Sequence, residues 1–265
     1  MENNYFNTFS KEDLITKLKD IRNMGWIKTS RTGNAGNAGN TLEDLLGIQE
    51  NNLPIPNAAE WELKTQRENT TSLATLFHIE PSPRALKFVP CVFLQLYGWK
   101  HKKAGESYPA GEMSFRQTIH GLKHSDRGFI VKIDRINEKV TISFDHTKVD
   151  IRHSKWLNNV KEKVGLDELC PQPYWGFDDL SSKARTKLLN CFFVQAKSKI
   201  QNGVEYVSYT TIKMLKLFSF EKFLNLIENG NILVDFDART GHNHGTKFRI
   251  RQNHLPFLYN EFTDI

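Results

Sequence analysis

The sequence predicts an α/β fold, a central mixed sheet flanked by helices. Three observations point there. Apolar residues switch along the chain between the spacing of amphipathic helices and the strict alternation of strands. A length of 265 residues suits one large domain or one domain with two lobes. Apolar residues make up 39% and charged residues 25%, the balance of a chain that buries a core without disulfide staples.

The elements follow in order. Ser10 with Asp13 marks a helix start, and Leu14, Ile15, Leu18 and Ile21 keep helical spacing up to a stop before Gly25. The Gly- and Asn-rich run from Arg31 to Asn40 reads as a loop. No Gly-Lys-Ser/Thr follows it, so it is not a Walker loop. A solvated connector and a loop that approaches a phosphate backbone both fit it. Asn40 or Thr41 is expected to cap a short helix that turns Leu42, Leu45 and Leu46 inward and carries Glu43. Asn51-Asn-Leu-Pro-Ile-Pro56 breaks that helix. From Ala58 to Gln66 the pattern alternates, with Trp61 and Leu63 on one side and Glu60, Glu62 and Lys64 on the other.

The middle is rich in strands. Gly128–Asp134 and Lys139–Phe144 form a hairpin turning at Ile136-Asn137-Glu138. A capped helix follows Phe177-Asp178-Asp179-Leu180. Cys191–Gln195 is a buried strand, and Asn202-Gly203 is a hairpin turn. Ser219–Asn229 is a helix stopped by Gly230. Ile232–Phe236 and Lys247–Arg251 are strands, with Gly241-His-Asn-His-Gly245 between them. There is no internal repeat and no clean linker. Trp26, Trp99, Trp156 and Trp175 are assigned to core packing rather than to base stacking.

Composition excludes several classes. No stretch is apolar enough to span a bilayer, and the N-terminus lacks the pattern of a secretion signal. Cys91, Cys170 and Cys191 are scattered, giving neither a disulfide framework nor a Cys-x-x-Cys metal site, so a cytoplasmic protein with reduced thiols is expected. The formal charge of +6 favours a polyanionic partner, but it decides nothing until the basic residues are placed.

Glu60, Glu62 and Lys64 are three charged groups at i, i+2 and i+4 of one strand. They either face water as an ion-paired edge or serve a site. Phosphodiester hydrolysis needs charge on the phosphoryl oxygens offset, a nucleophilic water and a stabilised leaving oxygen. Carboxylates are hard ligands for Mg²⁺, and a lysine beside the metal orients the attacking water or offsets developing charge.

Pro56-Asn57 followed by Glu62-Leu-Lys64 resembles the PD-(D/E)XK nucleases. Arg31-Thr-Gly-Asn, Thr41-Leu-Glu-Asp-Leu-Leu, Glu50-Asn-Asn-Leu, Glu62-Leu-Lys-Thr and Thr75-Leu-Phe resemble, in order, the N-terminal half of the MvaI/BcnI family of type II restriction endonucleases, which are MutH-like. Arg116-Gln-Thr-Ile-His-Gly, Tyr174-Trp-Gly-Phe-Asp, Ser198-Lys-Ile, Ile227-Glu-Asn-Gly and His242-Asn-His-Gly-Thr-Lys-Phe-Arg-Ile continue the likeness over nearly the whole chain. The resemblance implies a restriction-endonuclease-like fold with two lobes forming a DNA cleft, a catalytic lobe around residues 43–64 and a recognition lobe around residues 232–251. It makes Glu62 a metal ligand, Lys64 the catalytic lysine and Glu43 the helix acid completing the site. Where the family usually has aspartate, this chain has Asn57. Three explanations stand: Asn57 is native and tolerated, Glu60 takes over as ligand, or an inactivating Asp→Asn change has been introduced.

The second constellation is Asp235, Asp237, Arg239, His242, His244, Lys247, Arg249 and Arg251. No Cys or third His stands at ligand spacing to make His-x-His a zinc site. A solvated basic hairpin is one reading. The other is major-groove readout, in which Arg pairs with guanine, Asp accepts from cytosine and His donates to guanine. By resemblance this segment reads DNA, so the expected DNA-binding set is Arg31, Arg116, Asp237, Arg239, His242, His244, Lys247 and Arg249. Gln117 beside Arg116 either faces DNA or is a loop polar group. Lys100-His-Lys-Lys103 is a basic surface patch. The resemblance implies Mg²⁺, replaceable by Mn²⁺, and cleavage of double-stranded DNA at a short G·C-rich pseudo-palindrome of CCNGG or CCWGG type. It also implies a monomer, with a cognate methyltransferase in the same system but not as a stable partner. A silent DNA-binding relative and a MutH-like repair nickase are the alternatives.

Overall fold

The computed structural model describes residues 10–31, 36–48, 61–68 and 72–265. In chain order the elements are α1 (Lys11–Asn23), β1 (Ile27–Lys28), α2 (Asn37–Leu46), β2 (Trp61–Arg67), β3 (Leu73–His78), α3 (Leu94–Tyr97), β4 (Trp99–Lys100), β5 (Met113–His120), β6 (Arg127–Asp134) and β7 (Lys139–Val149). There follow α4 (Ser154–Val164), β8 (Tyr174–Gly176), α5 (Phe177–Leu188), β9 (Asn190–Gln201), β10 (Val204–Phe218), α6 (Phe220–Glu228), β11 (Ile232–Arg239), β12 (His242–Asn243), β13 (Lys247–Arg251) and β14 (Tyr259–Asp264).

The chain divides into two compact units. One takes Met1–Ser72, Ala184–Ser219 and Gln252–Ile265, and the other Leu73–Lys183 and Phe220–Arg251.

The first unit holds the mixed sheet, in the order β1-β10-β9-β2 with β14 also on β10. Only β2 runs parallel to its neighbour β9; the other pairs are antiparallel. Asn202 and Gly203 both take positive φ, 52° and 75°, the turn in which a hairpin's twist matches its strands. Against the sheet lies α1, capped by the Ser10 side chain accepting from the Asp13 amide, as its sequence predicts. Leu14, Leu18 and Ile21 of α1 pack with Leu42 and Leu46 of α2, Trp61 and Leu63 of β2, and Phe192 and Val194 of β9. The Trp61 and Phe192 rings sit 4.5 Å apart.

Local expectations are corrected in α2 and at Trp26. Residues 37–40, expected in a loop, form the first turn of α2, which has no side-chain cap. Burial overrides the Gly/Asn composition. Asn37 is fully buried and its amide donates to Glu205 at 2.8 Å, while Tyr209 donates to the Ala38 carbonyl at 2.8 Å. Asn37, Ala38, Thr41, Leu42 and Leu46 form the buried face of the helix, and Leu45 falls off it and is exposed. Trp26, expected in the core, is also exposed, with the Lys199 ammonium 4.5 Å from its ring centre.

The second unit adds a six-stranded sheet, β3-β13-β11-β5-β4 with β12 on β11, and a three-stranded sheet β6-β7-β8. All of their strand pairs are antiparallel. The hairpin at 128–144 and the helices opening at Phe177 and Phe220 form where the sequence places them. Period-two alternation sorts the larger sheet. Phe115, Ile119, Val234, Phe236, Phe248 and Ile250 are fully buried, and the Phe93 ring stacks on Phe115 at 4.6 Å. The alternate positions carry charge, and they form a separate candidate surface within this unit. Among the described residues no helix is long and apolar enough to cross a membrane.

Candidate active site and reading face

The β2 strand decides between a solvated edge and a site. Glu62 is 5% exposed, which a solvated edge does not produce. Lys64 Nζ donates to Glu62 Oε1 at 2.7 Å. Glu62 Oε2 is buried and accepts no hydrogen bond from the described residues. An ionised carboxylate taken out of water is costly unless both oxygens are compensated. One lysine covers one oxygen. The other is a hard, anionic donor inside the protein, which is the donor type a divalent cation such as Mg²⁺ takes. The donor set therefore fits the expected metal.

Beneath this pair, β9 places Cys191 opposite Glu62. Burial, with Glu62 nearby, pushes the Cys191 thiol up to about 12, against a partial lowering by Lys64. The Tyr259 hydroxyl is turned to the Cys191 sulfur and is held well above its ordinary range, first by burial. The floor under Glu62 is thus neutral. It adds no charge to the acid.

The mate for this strand is α2, where Glu43 sits half-buried. α2 lies close on β2: a side chain added at Gly39 would meet Thr65 at 3.9 Å. Arg31 has the Asp44 carboxylate of α2 at 3.9 Å. Asn57 and Glu60 lie outside the described residues. Among the described residues no three His, Cys, Asp or Glu side chains gather as a metal cluster.

The candidate reading face is the polar side of the larger sheet. Register sets Arg116 opposite Asp237 and Thr118 opposite Asp235 across β5 and β11, and Asp235 opposite Lys247 across β11 and β13. Asp237 is shared by Arg116 Nε at 3.4 Å and Lys247 Nζ at 3.6 Å. Asp235, nearly buried, accepts from Thr118 Oγ1 at 2.8 Å and Arg249 Nη1 at 3.3 Å. Arg249 also donates to the Leu73 carbonyl at 2.9 Å. Arg239 donates to the buried Glu112 at 2.9 Å. The Arg116 side chain remains 72% exposed. His242 and His244 are exposed at the hairpin tip, their rings edge-on at 4.2 Å.

The structure thus separates the predicted cations. Arg116, although paired with Asp237, and the two histidines stay exposed, while the more buried Arg239 and Arg249 spend part of their guanidinium on neighbouring acids and a backbone carbonyl. Sequence reasoning missed the residues that set this up. Glu80 accepts from the Thr246 amide and hydroxyl at 2.9 Å each, fixing the end of the hairpin. His78, opposite Lys247, is pushed below its usual range by burial and then by Lys247. Glu80 and Thr246 are far apart in the chain, and no local pattern announces their pairing.

The MvaI/BcnI restriction endonuclease family matches residues 15–259. Among solved structures, a restriction endonuclease MvaI–cognate DNA substrate complex is similar at 26% identity and a TM-score of 0.75, over 97% of this chain and 99% of the other. Restriction endonuclease MvaI in the absence of DNA is similar at 25% identity and a TM-score of 0.54, over 95% and 98% of the two chains. No curated protein matches.

Proposed function

Since the chain belongs to the MvaI/BcnI restriction endonuclease family, and so is a type II site-specific deoxyribonuclease, we propose that it hydrolyses double-stranded DNA with Mg²⁺ at a short G·C-rich pseudo-palindrome of CCNGG or CCWGG type. It does so as a cytoplasmic monomer, protecting its own DNA through a cognate methyltransferase that is not a stable partner. The observation that carries the chemistry is the buried Glu62, with one oxygen held by Lys64 at 2.7 Å and the other unpartnered among the described residues.

In this reading the unit with β2 is catalytic and the unit with β11 reads sequence. Glu62, with Asn57 or Glu60, holds the cation, and Glu43 completes the site from α2. When bound, the cation offsets charge on the scissile phosphate and makes a water acidic enough to attack. Lys64 Nζ, fixed by Glu62, keeps its remaining N–H donors for the phosphoryl oxygen or the incoming water. The neutral floor of Cys191 and Tyr259 keeps the acid from relaxing inward. On the other unit, Arg116, His242 and His244 reach base edges, with Lys247 and Arg249 behind them. Asp237 serves cytosine or holds Arg116 in register. That a similar chain has been solved on its cognate DNA substrate supports the partner.

A plasmid digest with and without Mg²⁺ tests the reading. Discrete linear fragments that require Mg²⁺ are expected. A smear overturns sequence specificity, and no cutting in Mg²⁺ or Mn²⁺ overturns the enzyme. Asn57 gives a second reading some weight, because an amide brings no charge to the cation. Accumulation of open circles without linear product would mark a MutH-like nickase.

A further inference from the structure

The end of β4 and the loop from it to β5 carry Lys100, Lys102 and Lys103, all exposed. Among the described residues none of the three forms an ion pair. The loop is nonetheless built rather than floppy. The His101 amide donates to the Glu112 carbonyl at 2.8 Å, closing its neck. The Tyr108 amide donates to the Lys103 carbonyl at 3.2 Å, and the Gly105 amide to the Tyr108 carbonyl at 2.8 Å. His101 accepts from the Lys103 amide at 3.1 Å and meets the Tyr108 ring edge-on at 4.7 Å.

That loop is also fastened to the reading hairpin. The Arg239 guanidinium lies 4.7 Å over the Tyr108 ring. Its Nη1 donates at 2.9 Å to Glu112, the residue that ends the loop. The Thr240 amide donates to the Met113 carbonyl at 3.1 Å, and the Met113 amide to Thr240 Oγ1 at 2.9 Å. Of the loop's two acids, Glu112 is buried and spent on Arg239, which leaves Glu106 alone against three lysines.

We infer that this lysine loop is a phosphate anchor, gripping the duplex backbone beside the bases that the β11–β12 hairpin reads, with the Arg239–Tyr108–Glu112 contact fixing the distance between grip and readout. The inference rests on the proposed reading of duplex DNA. An unpaired cation held at a fixed offset from a reading element is what sets register on a duplex, since phosphate contacts position and base contacts specify. A solvated loop would need neither the ring stack nor the buried acid.

Binding is measured by fluorescence anisotropy, in EDTA and over a salt series. The probes are a duplex carrying the site found in the plasmid digest and a random duplex of equal length. The variant combining Lys100→Gln, Lys102→Gln and Lys103→Gln should bind both duplexes more weakly. Its log-affinity against log-salt slope should be shallower by about 0.9 for each lysine on a phosphate. The ratio of cognate to random affinity should hold. In Tyr108→Ala the lysines remain but their fastening is lost. There the slope should hold while the cognate-to-random ratio falls about tenfold, the size of one disturbed base contact. An unchanged slope in the triple variant, with wild-type protein binding and cutting normally, overturns the anchor. An unchanged ratio in Tyr108→Ala overturns the coupling. Failure of the wild-type protein to bind either duplex overturns the DNA reading instead.

Discussion

Replacing Lys64 with alanine removes the partner of Glu62 Oε1 and leaves a carboxylate that is 5% exposed with neither oxygen bonded by the described residues. Breaking one side of a buried ion pair costs about 3–5 kcal/mol, because the surviving charge stays buried. Both side chains lie well inside, 6% and 20% exposed, so solvent screening gives little relief. At roughly 2–4 °C per kcal/mol for a chain of this class, the apo variant should melt roughly 6–20 °C below wild type. Divalent cation then becomes the diagnostic. It binds the folded state through Glu62, and at a hundred times its Kd it adds about 2.7 kcal/mol. The variant, whose acid has nothing else to offset it, should gain more from Mg²⁺ than wild type does. Cleavage should fall by at least about 10²–10³-fold, the usual cost of losing one preorganised charge. The assays are thermal melts with EDTA and with Mg²⁺, and initial rates on supercoiled plasmid. Cutting at the wild-type rate would falsify the assignment of Lys64. A melt unchanged in EDTA would show that Glu62 is not a buried charge needing a partner.

Other expectations follow from the same geometry. Arg116→Ala should cost about 1–3 kcal/mol on the cognate duplex and little on a random one if the guanidinium touches a base, whereas equal loss on both would make it a phosphate contact. Asp237→Asn removes the acid shared by Arg116 and Lys247; filter binding should show tighter random-DNA binding with a steeper salt slope, and unchanged binding would mean the pair is spent elsewhere. Asn57→Asp should keep or raise Mg²⁺-dependent cleavage, and a rate below that of the native chain counts against a metal role for position 57. Iodoacetamide should label Cys91 and Cys170, both exposed, and spare buried Cys191 until the protein unfolds, as mass spectrometry of the peptides would reveal. The Cys191 thiol ionises at about 12 when folded against about 8.5 unfolded. Below the lower value both states keep the proton; as pH rises past it the unfolded state alone loses one, so stability falls toward alkaline pH.

Much of the fold is legible in the sequence because local chemistry and burial agree. Ser10 and Asp13 cap α1, Asn202-Gly203 turns the β9–β10 hairpin, and Gly230 stops α6, each through interactions a few residues long. The failures share one cause. Residues 37–40 look like loop and become helix as Asn37 finds Glu205, and Leu45 falls off the face that this helix buries. Trp26 looks like core but stays exposed, its ring partnered by the Lys199 ammonium. In each case the deciding partner is over a hundred residues away, and no periodicity encodes it. The site divides the same way. Glu62 and Lys64 are readable as a pair two residues apart, but not the Cys191 and Tyr259 floor beneath them. Nor does the sequence tell which arginine of the reading set points outward.

The candidate site on β2 and the candidate surface on β11 handle charge in opposite ways, and the difference bears on what each does. On β2 a single lysine serves a buried carboxylate and leaves one oxygen uncompensated, so the strand's charge balance is open toward a cation. On β11 each acid is answered by more than one donor: Asp237 by Arg116 and Lys247, Asp235 by Thr118 and Arg249. That face is closed within itself, and DNA must compete for its cations. A cation released only when a base edge replaces its acid contributes little to random binding and much to the right sequence, because the wrong base leaves both the arginine and the aspartate unpaired. Non-specific grip then has to come from cations that are not so answered. Lys100, Lys102 and Lys103 are of that kind, and the fold fastens them to the same hairpin.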